Sequence, residues 1–408
     1  RARMAASYSF LDAPPEKDAL HKVTLSGTLE EVRDLISANP KQLEARDDND
    51  STPLIVAAGA GRTAILQALL DFGARSTAFN KNRNTPLHEA VRAGCRDSVV
   101  ALIRSRANLK AANDRNETPL HLACTHRSPE CVDIISSLLE GKASVSARNI
   151  DHETPLLVAA RVGNFHALTL LSAAGALAKT HNSKNETALH LACASGDLET
   201  VRILLELNAD VRARSMSKDT PLHEACRQGA EDMTNAILRA GADVKAANTA
   251  GITPLHAAVT GEHSTCVGLL LAQGASGNSR TMDGDTALHL AAKNKTDEIT
   301  KMLLEHSALP DQTRPSPSGQ QVSPLDIARA EGNDATVERL ERALAFRAAE
   351  RAEFHGELSG VAMGPAAANL KPAKVKSPAS AKSTKSPGSS KSSKSKSKKG
   401  EYQTLLDD

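Results

Sequence analysis

Aromatic residues are nearly missing from this chain: its 408 residues include no Trp, two Tyr and six Phe. A core closed without large rings has to be packed from Leu, Ala, Val and Ile, which suits thin helical layers better than one bulky interior. No apolar run reaches the roughly 18 residues of a membrane-spanning helix. The opening RARMAASYSF lacks the longer apolar stretch of a secretory leader. The six Cys are therefore expected as reduced thiols in a cytoplasmic or nuclear setting. The signatures G-x-x-x-x-G-K-[ST], H-E-x-x-H and G-x-S-x-G are absent, so the chain is not expected to be an enzyme.

Charge is nearly balanced, at a formal +2, but it is unevenly placed. Residues 371–408 hold ten Lys and three acids, which leaves 40 basic and 45 acidic side chains in residues 1–370. One stretch imitates a cofactor site. LIVAAGAGRTAILQALL, from Leu54 to Leu70, contains Gly59, Gly61 and Ala64 in the G-x-G-x-x-A spacing of a dinucleotide-binding turn.

What the chain has in abundance is a repeat. Thr-Pro-Leu or Thr-Ala-Leu recurs at Thr52, Thr85, Thr118, Thr154, Thr187, Thr220, Thr253 and Thr286, and Ser323-Pro-Leu follows. The steps are 33, 33, 36, 33, 33, 33, 33 and 37 residues. Each Thr is placed to cap a helix whose first position takes Pro without loss, because that N–H has no helical partner. Ala stands five residues on in every unit, small enough for neighbouring helices to approach closely. Gly stands nine residues on at Gly61, Gly94, Gly163, Gly196 and Gly229, where it ends one short helix and turns into the next. Apolar residues at helical spacing follow, then a second turn at Gly73, Gly175, Gly241 and Gly274. The polar stretch before the next Thr suits an exposed β-turn or hairpin.

The 33-residue period, the T-P-L-H-x-A signature and the double turn resemble the ankyrin repeat. The resemblance covers residues 17–345 in about ten units, the first an atypical one with Asp18 in the cap place. We number that unit 0 and the signature-bearing ones 1 to 9. The family implies an all-α solenoid of helix–turn–helix units with projecting hairpin loops, a concave binding face, and a role in binding other proteins. Its signature His implies a hydrogen bond to the Thr of its own unit and another to backbone at the repeat junction. Here those pairs are Thr85 and His88, Thr118 and His121, Thr187 and His190, Thr220 and His223, Thr253 and His256, and Thr286 and His289. Ile55, Leu157 and Asp326 replace the His in units 1, 4 and 9, and those junctions are expected to be weaker.

The register also disposes of the cofactor reading. Thr52-Pro53 caps a helix where a strand would be required, and Phe79, not an acid, stands twenty residues beyond Gly59. No cofactor is expected. Cys124, Cys193 and Cys226 follow a signature His by three residues, yet they fill a small-residue slot held by Ala in other units. They are expected to be buried thiols, and no metal site is expected. The second-turn Gly is Arg106, Lys142, Asn208 or Ser307 in four units, and softness is expected near units 2, 3 and 8. Unit 3 gains three residues, expected to lengthen its second helix, and LPDQTRPSPSG between units 8 and 9 is expected as a loop without regular structure.

Seven residues after the Thr stand Arg92, Arg161, Arg227 and Lys293. With helices packed about 8–10 Å apart, these would be spaced roughly 16–20 Å along the first-helix face. They form the candidate protein-binding ladder. Glu89 and Glu224 can pair with Arg92 and Arg227 on the same helix, whereas Arg161 and Lys293 are expected to be freer. Their place on the concave face is what the family resemblance implies.

Beyond the array, residues 1–16 are expected to be flexible, 346–370 a helical extension and linker, 371–400 a disordered basic tail and 401–408 a short peptide. The tail carries Lys371, Lys374, Lys376, Lys382, Lys385, Lys391, Lys394, Lys396, Lys398 and Lys399 with no acid and no aromatic. Its composition resembles linker-histone tails. Such charges suit a polyanion: nucleic acid bound through counterion release, an acidic protein or anionic lipid. A nuclear-import signal and a partnerless solubilising linker are the other readings. Ser377 and Ser386, each followed by Pro, fit proline-directed phosphorylation. The leading function is a non-enzymatic protein-interaction scaffold, cytoplasmic or nuclear. The alternative is a nucleic-acid or chromatin-associated protein in which the tail is the main binding element.

Overall fold

The structure, a computed structural model, describes residues 19–354 apart from 129, 295–296 and 317–318. For residues 130 and 352–354 it describes the backbone alone. Asp18, the tail from 371 to 400 and the last eight residues lie outside the described residues.

Among the described residues are twenty α-helices, and they alternate short and slightly longer along the chain. Unit 2 shows the pattern: Pro86–Arg92, a tight turn at Gly94, Arg96–Arg104, a second turn at Arg106, then a loop to Thr118. First helices stack on first helices and second helices on second helices. Two layers of helices result, with one core running continuously from Leu20 to Leu340. The Ala five residues after each Thr or Ser is fully buried in all nine units, from Ala57 to Ala328. A larger side chain there would wedge consecutive first helices apart.

Both turns take a positive φ in most units. Gly61, Gly94, Gly163, Gly196 and Gly229 lie at 66° to 77° at the first turn. At the second turn Arg106, Lys142, Asn208 and Ser307 adopt 55° to 65° where other units use Gly. An L side chain at that φ costs about 1–2 kcal/mol. We therefore expect Arg106→Gly, Lys142→Gly and Ser307→Gly each to raise stability by about 0.5–1 kcal/mol, read as an upward shift of the urea midpoint. No shift in the triple variant would show that the surrounding turn already absorbs the strain.

The insertion in unit 3 lengthens its second helix to eleven residues, Glu130–Glu140, against nine in unit 2. The expectation for the unit 8–9 link needs correction. Arg314–Pro315 pairs antiparallel with Gln321–Val322, with Arg314 opposite Val322 and Pro315 opposite Gln321. Pro315 has no N–H to give to a ladder, but on a two-stranded ribbon it can sit at the free edge, so proline does not exclude pairing here. The array ends in the helix Asp334–Phe354, which continues without interruption through the start of the expected 346–370 extension. That helix is pinned by ion pairs from Arg339 to Asp297 and from Arg351 to Asp311, the latter at 2.6 Å.

Candidate protein-binding face

Each signature His has a defined tautomer. In His223 the Nδ1 accepts the backbone N–H of Thr220 at 3.0 Å and lies 2.9 Å from the Thr220 hydroxyl. Its Nε2 lies 3.1 Å from the carbonyl of Ile252, in the next unit. A backbone N–H can only donate and a carbonyl can only accept, so the ring is neutral with its proton on Nε2. The same arrangement holds at His88, His121, His190, His256 and His289, whose junction acceptors are the carbonyls of Glu117, Glu153, Asp219, Ser279 and Val322. Burial pushes all six imidazoles below their ordinary value, and His256 falls to about 4. The carbonyl bond pulls the other way but does not prevail.

One junction His escaped the sequence reading. His21 lies 2.9 Å from the carbonyl of Ser51 and joins unit 0 to unit 1 as the others do. The signal was present: DALH places His21 three residues after Asp18, the offset of every signature His. Where the His is missing, the fastening differs. In units 1 and 4 the aliphatic Ile55 and Leu157 are buried in its place. Both loops are also stapled, Arg46 donating to the carbonyls of Asp50 and Phe79 and Arg148 to those of His152 and His181, a staple that the His-bearing units 6 and 8 share through Arg214 and Arg280. In unit 9, Asp326 closes a capping box with Ser323.

The loops form a second regular system. An Asn or Asp five residues before the Thr accepts backbone N–H groups within its own loop: Asp47, Asn80, Asn113, Asn149, Asn182 and Asn248 all do so. The residue four before the Thr donates its N–H to the preceding loop. Lys81 bonds Asn49, Asp114 bonds Asn82, Ile150 bonds Arg115, Ser183 bonds Asp151, Met216 bonds Lys184, Thr249 bonds Ser217 and Met282 bonds Ala250. Seven such bonds, 2.8 to 3.1 Å long, run from unit 1 to unit 8 without a gap. Recurrence of Asn five before Thr was visible in the sequence, but the bonds between loops involve backbone alone and leave no residue signature.

The four ladder residues project from otherwise buried first helices. Arg92 pairs with Glu89, whose carboxylate is buried and also accepts from Asn80 and Asn84. Arg227 pairs with Glu224 at 2.5 Å and approaches Asp219 at 3.7 Å. Arg161 corrects the expectation that it is freer: it grips Glu153 through Nε at 3.1 Å and Nη2 at 3.2 Å. Glu153 is only 4% exposed and sits just before Thr154, a partner that a search along the same helix overlooks. Asp219 and Asp285 hold the same place before Thr220 and Thr286. Burial pushes the Asp219 carboxyl up, but bonds from Asn248 and Ser217, with His223 and Arg227 nearby, hold it below the ordinary value. In unit 8 the place beside Asp285 is taken by Arg314 of the terminal hairpin, at 2.6 Å. Lys293 is left exposed, with no ion pair to any described residue.

At unit 1 the ladder position is Gly59, and a hollow of about 580 Å³ opens beside it. Ile55 and Val56, the loop residues Asn49 and Lys81, and Arg92 all line it. There the loop tip Lys81 and the first-helix positions Gly59 and Arg92 border one hollow. The glycine turn that imitates a cofactor site is a helix–helix turn, and Gly61 lies against Cys95. Cys95 is half-buried, and the other five Cys are buried. Burial raises the thiols of Cys124, Cys193, Cys226 and Cys266 above their ordinary value. No group of three or more His, Cys, Asp or Glu converges on a metal-sized site among the described residues.

A family model described as ankyrin repeats (3 copies) matches residues 20–113, 101–181, 170–248 and 222–314. The chain belongs to the ankyrin repeat family. Such arrays serve in general as protein-interaction scaffolds, and no helix among the described residues is long and apolar enough to cross a membrane.

Proposed function

We propose that the protein is a non-enzymatic adaptor that holds a protein partner on the first-helix face of units 2 to 8, while its basic tail makes a second contact with a polyanion. The observation that carries this reading is the mounting of the ladder. Arg92, Arg161 and Arg227 are held through their guanidinium groups by buried or half-buried acids, yet their side chains remain 66%, 48% and 46% exposed. Lys293 adds an exposed charge with no ion pair to any described residue. Fixed, half-exposed guanidinium groups can receive a carboxylate with little further loss of side-chain freedom. The tail's role rests on its ten Lys without an acid, and it suits cytoplasmic or nuclear residence.

Two measurements test the two halves. Affinity capture with the full chain is compared with capture by a variant carrying Arg92→Ala, Arg161→Ala, Arg227→Ala and Lys293→Ala. The variant is expected to lose its main partners, and an unchanged captured set would remove the ladder from the mechanism. Deleting residues 371–400 is expected to weaken DNA binding and nuclear accumulation. If both survive the deletion unchanged, the tail is not the polyanion contact.

A further inference from the structure

Taken in order, the residues seven after the Thr or Ser are Gly59, Arg92, Thr125, Arg161, Ala194, Arg227, Thr260, Lys293 and Ala330. Large cations and small uncharged residues alternate without exception over nine units. A second column alternates in step with it. At the loop tips, four residues before the Thr, units 4 to 8 carry Ile150, Ser183, Met216, Thr249 and Met282. The three apolar tips fall in the units that carry Arg161, Arg227 and Lys293, each pair recurring at 66-residue steps. Ile150, Met216 and Met282 are 56%, 71% and 82% exposed. They stand where other loops place Asp48, Lys81 or Asp114.

The apolar tips are mounted more firmly than exposure alone would suggest. Each donates its backbone N–H to the preceding loop. In those three units an Arg two residues earlier staples the loop to its own turn and to the next unit. Arg148 reaches the carbonyls of His152 and His181, Arg214 those of Lys218 and Ala247, and Arg280 those of Gly284 and Thr313. At unit 1 the tip Lys81 and the ladder positions Gly59 and Arg92 line one hollow, and the repeat carries the same neighbourhood of tip and ladder position into the later units.

We infer that the groove of units 4 to 8 is built to hold one extended segment of a protein partner, with apolar side chains on the tips and acidic side chains on the cations. This deepens the adaptor reading and rests on it. Two units span roughly 16–20 Å at 8–10 Å per helix. An extended chain rises about 3.3 Å per residue, so five or six residues cover that step. Six is the number that returns a side chain to the same side, because alternate residues point in opposite directions. A segment with Leu and Glu three apart, repeated every six residues, sends Leu to one column and Glu to the other. The small residues at Ser183, Ala194, Thr249 and Thr260 leave room for the chain between anchors.

The test uses the full chain and an 18-residue fluorescent peptide with three copies of Leu-x-x-Glu-x-x, x being Ser or Thr. A scrambled peptide of the same composition cancels non-specific attraction to the tail. We expect the periodic peptide to bind at least tenfold tighter than the scrambled one. The surface variant Ile150→Ser, Met216→Ser, Met282→Ser should erase that difference, and so should Arg161→Ala, Arg227→Ala, Lys293→Ala. Equal binding of the two peptides overturns the inference, as does a tip variant that keeps the full preference. Captured partners that are lost with the ladder variant but kept with the tip variant would also overturn it, while leaving the adaptor reading intact.

Discussion

Lowering the pH from 7 to 5.5 will sharply reduce the denaturant concentration needed to unfold the array. The six signature imidazoles are neutral in the fold and all titrate below their ordinary value, His256 near pH 4. The unfolded chain protonates the same rings near pH 6.5. Between those values the unfolded state binds more protons, so stability falls as pH falls. The contribution is full above about pH 6.5 and is lost progressively down to the folded pKa. For His256 alone the loss from pH 7 to 5.5 is about 1.2 kcal/mol. The other five act in the same direction. A second cause reinforces burial: a proton on Nδ1 would face the Thr N–H that this nitrogen now accepts. Urea midpoints at pH 7.5, 6.5 and 5.5 provide the measurement. A flat profile would mean that the rings keep their ordinary titration in the fold.

His223→Ala is expected to cost about 3 kcal/mol. The change strands the Thr220 N–H and the Ile252 carbonyl in a buried junction, at about 1–3 kcal/mol for an unsatisfied group. It also leaves a cavity where a fully buried ring stood. Chemical denaturation at pH 7.5 reads the loss, and a cost under 1 kcal/mol would show that water or a neighbour replaces the ring. The same variant should flatten part of the acid dependence, which ties the two results to one group.

The fold was legible because it is written nine times. A single Thr-Pro-Leu-His is weak evidence, but its recurrence fixes caps, turns and core positions together, and Ala57 to Ala328 all fall where the pattern requires. The ladder was less legible. The helical neighbours of Arg161 offer it no acid, whereas its partner Glu153 precedes the helix and is brought to it only by the fold. Lys293 makes no ion pair to any described residue, for a reason the sequence hides: Arg314 reaches Asp285 from a hairpin 29 residues away, in a stretch whose prolines argue for a loop without regular structure. The loop-to-loop bonds are backbone to backbone and can be inferred only after the units are stacked.

The loop bonds also have a consequence for length. From unit 2 to unit 8 each tip N–H bonds to the preceding loop, so each of these loop joints is the same whatever side chain the tip carries. The scaffold has a period of one unit, whereas the surface it displays has a period of two. Excising a single internal unit would leave every joint of the same kind and yet put the surface out of phase, bringing two cation-bearing units or two small-residue units side by side. Excising a pair would shorten the groove and keep the phase. For this chain the smallest change of length that preserves what the groove presents is therefore two units, about 66 residues, twice what the fold itself would tolerate.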